Sequence, residues 1–145
     1  MVKCMLDKTY YNRKPQGKEI GAIQNRLKAT DITIKELSKE LIRGSSFRPS
    51  FLVGLKEIDW TSQQVFALDF DNNTTIEEEL NRCRELNILP VFGYTSFSHT
   101  KEHHKFRLAF CIDKVITDYN IAKQIQTILM GLFNKCDKQC SNLSR

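Results

Sequence analysis

A chain of 145 residues, 41% hydrophobic and 27% charged, is sized and composed as one globular domain, which excludes wholesale disorder. No apolar run approaches the ~18–20 residues of a membrane span, and the start, MVKCMLDKTYYNRK, has no apolar signal-peptide core, so a soluble, cytoplasmic protein is expected. The net charge of +5 is concentrated at one end: residues 1–28 carry seven Lys/Arg against Asp7 and Glu19, whereas the other 117 carry 15 basic and 15 acidic side chains. Such a basic leader suits a polyanion partner such as nucleic acid, and serves equally as a mobile, solubilising terminus. The cysteines, Cys4, Cys83, Cys111, Cys136 and Cys140, are odd in number and scattered. That pattern reads as reduced thiols rather than a disulfide framework.

Residues 1–28 have mixed turn and polar character and no clear period. Thr33-x-x-Glu36 then has the spacing of a capping box, with Ile34, Leu37, Leu41 and Ile42 at helical spacing and Gly44 to stop the run. The segment SSFRPSFLVGLKEIDWTSQQ, punctuated by Pro49 and Gly54, reads as a loop-like connection. Val65–Phe70 is predicted as a strand, and Thr75-x-x-Glu78 as a second capping box before a helix with Ile76, Leu80 and Cys83 on one face. Leu89–Tyr94 and Phe106–Ile112 are predicted as strands flanking a polar loop at His99 to His104. Asp118 is placed to cap a long helix whose apolar face carries Ile121, Ile125, Ile128, Leu129 and Leu132. The order helix, strand, helix, strand, strand, helix, with one strand–helix–strand crossover, predicts an α+β fold with a small mixed or antiparallel sheet flanked by helices.

The strand at 65–73 reads VFALDFDNN and ends in two aspartates one residue apart. Strand side chains alternate, so Asp69 and Asp71 share a face while Leu68 and Phe70 point into the opposite layer. Two carboxylates held this close repel unless a cation compensates them. Mg²⁺ or Mn²⁺ suits carboxylate oxygens, and two such ions can clamp the attacking and leaving oxygens of a phosphoryl transfer. The plain alternative is a strand end where Asp and Asn begin a turn and cap the next helix. In Lys105-Phe-Arg-Leu-Ala-Phe110, Lys105 and Arg107 share one face and Phe106, Leu108 and Phe110 the other. Cations opposite a carboxylate pair would hold a metal–triphosphate, acids on metal and bases on phosphate. The same pattern also fits an amphipathic hairpin with a solvated face.

GSSFRPSFL, VFALDFDNN, FGYTSFSHTKEHHKFRLAF and CDKQCSNLSR, in that order, resemble the archaeo-eukaryotic primase superfamily. They look closest to the N-terminal primase–polymerase domains of plasmid, phage and mobile-element replication proteins. The resemblance runs from about Thr33 to Arg145. It implies a primase–polymerase (RRM-like) catalytic core over residues 29–145, behind a basic leader at 1–28, as the leading fragment of a longer protein. It also implies a metal-dependent nucleotidyl transferase that takes a DNA template and primer and nucleoside triphosphates, with a possible helicase module in the same or another chain. The family's D-x-D motif matches Asp69 and Asp71, and its third aspartate has Asp137 as candidate, so all three are expected to bind Mg²⁺ or Mn²⁺. The family's second motif, a serine followed by a basic phosphate contact, is met by Ser96 or Ser98. The basic residue is His99, His104, Lys105 or Arg107, with Arg107 favoured and His99 the alternative.

Other readings compete. LDFDNN resembles the haloacid dehalogenase nucleophile loop, but Asn73 stands where Thr or Val belongs. A rolling-circle initiator would need paired histidines on a strand and a tyrosine, for which Tyr10 and Tyr11 are the only hint. A nonenzymatic nucleic-acid-binding module would keep the basic surface without turnover. Cys136-x-x-x-Cys140 with His99, His103 and His104 would make a zinc site only by recruiting distant histidines. Phe47, Phe51 and Trp60 are either base-stacking or core aromatics, and Arg48 is left unassigned between a phosphate and a carboxylate partner.

Overall fold

Thr33 and Thr75 each start a helix by the reciprocal cap their sequences predict. The Thr33 hydroxyl accepts from Glu36 N–H and the Glu36 carboxylate from Thr33 N–H, opening helix Ile34–Arg43, which Gly44 ends in the left-handed conformation at φ 101°. Thr75 and Glu78 do the same for helix Ile76–Leu86. The computed structural model describes residues 1–145 as seven strands and four α-helices: β1 (Val2–Asp7), α1 (Lys18–Arg26), β2 (Lys28–Ile32), α2 (Ile34–Arg43), β3 (Ser46–Arg48), β4 (Ser50–Leu52), β5 (Trp60–Asp71), α3 (Ile76–Leu86), β6 (Phe92–Thr95), β7 (Lys105–Ile116) and α4 (Tyr119–Leu132).

The strands form two antiparallel sheets, ordered β2-β1-β3 and β4-β5-β7-β6. Pro49 alone separates β3 from β4, so the chain leaves one sheet and joins the other at a residue with no N–H to donate. Both β5 and β6 run antiparallel to β7, which lies between them. They are therefore parallel to each other and joined through α3, the crossover the sequence predicts, in the layout of a split β-α-β unit. The α+β class is as expected.

Two cores lie on opposite faces of the four-stranded sheet. Phe66, Leu68, Phe70, Phe106, Leu108 and Phe110 pack toward α3 and α4 with Cys83, Leu129 and Phe133. On the other face, Val65 and Ala109 meet Val2, Cys4, Leu6, Leu37 and Phe47, so the small sheet and α2 cover that end.

Four elements differ from the sequence reading. Residues 1–28 contribute β1, the central strand of the small sheet, and α1. Five of the six residues of β1 are buried, because both of its faces are covered, and the period-2 signal is erased. The supposed connection at 45–64 holds β3, β4 and the start of β5. The strand expected at Leu89–Tyr94 begins later, at Phe92, after Pro90 and an exposed Leu89. Helix α4 buries Ala122, Gln126 and Leu129, while Ile121 and Ile128 are exposed. In this orientation the Gln126 amide donates to the carbonyls of Ala67 and Cys140.

Candidate functional site

Along β5, the face that carries Val65 runs from covered to open. Val65 is fully buried, the Asp69 side chain is 29% exposed and that of Asp71 is 59% exposed. The aspartates therefore stand where the small sheet stops covering the large one. Strand β7 sets their partners by register: Asp69 faces Arg107 and Asp71 faces Lys105. Arg107 Nε and Nη2 donate to the two carboxylate oxygens of Asp69 at 2.5 and 2.7 Å, a bidentate fork. Lys105 Nζ lies 3.0 Å from Asp71 Oδ1. The Arg107 guanidinium also sits 5.8 Å from the Phe47 ring centre, which gives that aromatic a contact in the site.

Burial pushes the Asp69 carboxyl up, but the hydrogen bonds and charge of Arg107, with a smaller contribution from Arg145, hold it below the usual carboxylate range. Desolvation works against the Arg107 cation, yet neighbouring Tyr94 and Asp69 raise its pKa further above the ordinary arginine value.

Beyond the end of β4, β5 has an open edge, and the C-terminal segment closes it. Asp137 N–H donates to the Asp69 carbonyl at 2.7 Å, and Asp69 N–H donates to Cys140 Sγ at 3.2 Å. Asp137 is thus brought beside Asp69 through its main chain. Its carboxylate accepts from Gln139 N–H at 2.9 Å and caps the 3₁₀ turn Lys138–Ser141. The structure brings Asp69, Asp71 and the Asp137 backbone to one strand end, but it does not draw the three carboxylates into one donor set. No three His, Cys, Asp or Glu side chains come close enough to hold a metal ion, so the Cys136/Cys140–histidine grouping is not assembled either.

The loop between β6 and β7 folds over this end. Ser96 N–H donates to the Lys105 carbonyl at 2.9 Å, and Ser96 Oγ accepts from Ser98 N–H at 3.3 Å. Both serines are exposed. His99 Nδ1 accepts from Lys105 N–H at 3.1 Å, and His104 Nδ1 from Ile76 N–H, the first residue of α3, at 3.0 Å. Those ring nitrogens organise the loop. Arg107 and Lys105, not the histidines, face the aspartates.

Gln126 was missed by sequence reading. Nearly buried, it ties β5 to the C-terminal segment, and its Oε1 has no hydrogen-bond partner. It also lines a small cavity of about 20 Å³ beside Asp69, Arg107, Pro49 and Arg145. The available signal was a glutamine inside the apolar pattern of α4. Arg48 makes neither of the contacts considered for it: it is buried, with Met5 Sδ at 3.9 Å.

No protein-family model matches the chain, and no curated protein sequence does. Among solved structures, the chain is similar to the AEP domain of the primase–polymerase of cyanophage S-2L, with a TM-score of 0.54 at 14% identity, over 99% of this chain and 69% of that one. The likeness shows the fold: this is an α+β chain built like a primase–polymerase AEP domain. No helix is long and apolar enough to cross a membrane.

Proposed function

We propose that the chain is a nucleotidyl transferase of the primase–polymerase type, extending a template-paired DNA strand in the replication of a plasmid, phage or related mobile element. The observation that carries this is the pair of acid–base rungs, Asp69–Arg107 and Asp71–Lys105, at the open end of the sheet. The fold shared with a primase–polymerase AEP domain supports it.

The donor chemistry fits Mg²⁺ or Mn²⁺: two hard-oxygen carboxylates project from one face of β5, with Asp137 anchored beside them. Asp69 and Asp71 would hold the metal, and Asp137 would join them once its carboxylate leaves the cap it makes on Gln139 N–H; the metal when bound supplies charge neutralisation and a more acidic 3′-hydroxyl. Arg107 and Lys105 would bind and orient the triphosphate, and Ser96, Ser98 and His99 would line it from the loop. The exposed Lys3, Lys8, Lys14, Lys18 and Lys28 would meet the template backbone, a contact that weakens with salt. A helicase module, in the same chain or another, is the partner this role calls for.

Primer extension in manganese tests the reading. The wild type is expected to extend a primer, and Asp69→Ala/Asp71→Ala to lose incorporation by at least about a hundredfold. Equal incorporation by both proteins removes the assignment. One observation favours a nonenzymatic nucleic-acid-binding module instead: each carboxylate of the pair is already neutralised by a cation. Salt-sensitive DNA binding without any incorporation would establish that reading.

A further inference from the structure

The geometry points to a second binding site, on the helix side of the sheet, for one alkylammonium group the size of a lysine side chain. It does not depend on the nucleotide-transfer reading. A cavity of about 250 Å³ lies between α3 and the end of α4, beside Phe133 of the core under those helices. Glu78, Glu79, Arg82, Glu85, Leu132 and Lys135 line it. Three carboxylates meet two cations there. Lys135 Nζ lies 3.6 Å from Glu78 and Arg82 Nη1 3.6 Å from Glu85, while Arg82 Nε donates to the Leu132 carbonyl at 3.1 Å. Glu79 is left over: it is 4% exposed and has no basic group within ion-pair distance.

Thr74 Oγ1 lies 2.8 Å from Glu79 Oε1, yet the same hydroxyl lies 2.7 Å from Glu78 Oε2. A hydroxyl has one hydrogen to give. Whichever carboxylate takes it, the other faces the Thr74 oxygen across a short contact with no hydrogen between them, and an added positive charge relieves that contact. Gln126 Oε1 is the one sealed side-chain polar atom without a partner. Glu79 Oε2, which no donor reaches, therefore opens to the cavity. A carboxylate this buried is costly without a counter-charge, so the cavity favours a cation. One uncompensated carboxylate calls for one positive charge. No three His, Cys, Asp or Glu side chains gather to hold a metal ion, which disfavours a divalent ion with its six or more oxygen ligands. A primary ammonium brings three N–H donors for the Glu79 and Glu78 oxygens, and its alkyl stem covers Leu132. The volume is below the ~300–1,000 Å³ of pockets that enclose whole small ligands, so it suits a single side-chain-sized group. Two sources offer that group, a free alkylamine and a lysine of a protein partner.

Calorimetric titration of the full chain tests this with n-butylammonium chloride, with Nα-acetyl-lysine methylamide and with NaCl, at matched ionic strength. Both amines are expected to bind where Na⁺ does not. Tighter binding of the lysine amide assigns the site to a partner's lysine, and tighter binding of butylammonium assigns it to a free amine. Glu79→Gln keeps the shape and removes the charge, and should weaken both amines at least about tenfold. Lys135→Gln removes an exposed competing cation and should tighten them by about two- to fivefold. That second variant decides the matter should Glu79→Gln fail to fold. No heat beyond the NaCl control overturns the inference, as does amine binding that neither substitution alters.

Discussion

The two faces of the four-stranded sheet use the same strands for opposite ends. On one face Phe66, Leu68 and Phe70 meet Phe106, Leu108 and Phe110, all 5% exposed or less, with the Phe70 and Phe106 rings stacked at 4.9 Å. One residue over, Val65, Ala67, Asp69 and Asp71 grade from apolar and covered to charged and open. The dry face fixes the register, because a slip by one residue would turn the aspartates into the core and the phenylalanines into water. Register then places Asp69 against Arg107 and Asp71 against Lys105. The geometry of the site is thus set by packing behind it, with the loop above it adding contacts to a frame already built.

The largest blow to that arrangement is expected on the dry face. Leu68→Ala, at a fully buried position, should cost about 3–4 kcal/mol in urea unfolding. A loss near zero would mean the register is held elsewhere. Next comes the inner rung of the open face. Arg107→Met leaves a mostly buried Asp69 without its partner, an expected loss of about 2–3 kcal/mol at neutral pH. The sign of its pH dependence follows from the lowered Asp69 pKa. The stabilisation is present above the unfolded carboxylate value of about 3.9 and is lost as pH falls through the folded value. Urea midpoints of wild type and Arg107→Met should therefore converge between pH 7 and the region below about pH 3. A gap that stays constant across that range would assign the loss to packing rather than charge. Thr75→Ala, removing the α3 cap beside the site, should cost about 1 kcal/mol. Lys105→Gln, on the exposed outer rung, should change stability by no more than about 0.5 kcal/mol.

The same contrast explains what the sequence made legible. The apolar run ending in D-F-D in β5, the alternation in β7, and Thr-x-x-Glu before α2 and α3 are local signals; the two helices formed as read, and the two strands formed where read but longer, from Trp60 and to Ile116. Asp69, Asp71, Lys105 and Arg107 were legible for the same reason, since alternation fixes which side chains share a face. The pairing of Asp69 with Arg107 was not, because it depends on the register between strands far apart in the chain. Strand β1 was hidden because burial on both faces leaves no period to detect. Gln126 and the Asp137 main chain were hidden because they answer a tertiary need, the unpaired edge of β5 beyond β4.

Exchanging the outer rung tests most directly whether the aspartates are there for chemistry or for stability. Asp71→Lys with Lys105→Asp keeps an ion pair at the same rung of the same ladder, but moves the carboxylate from β5 to β7. The swapped protein is expected to match the wild type in urea unfolding within about 0.5 kcal/mol while failing to extend a primer in manganese. Wild-type extension by that protein would contradict the account.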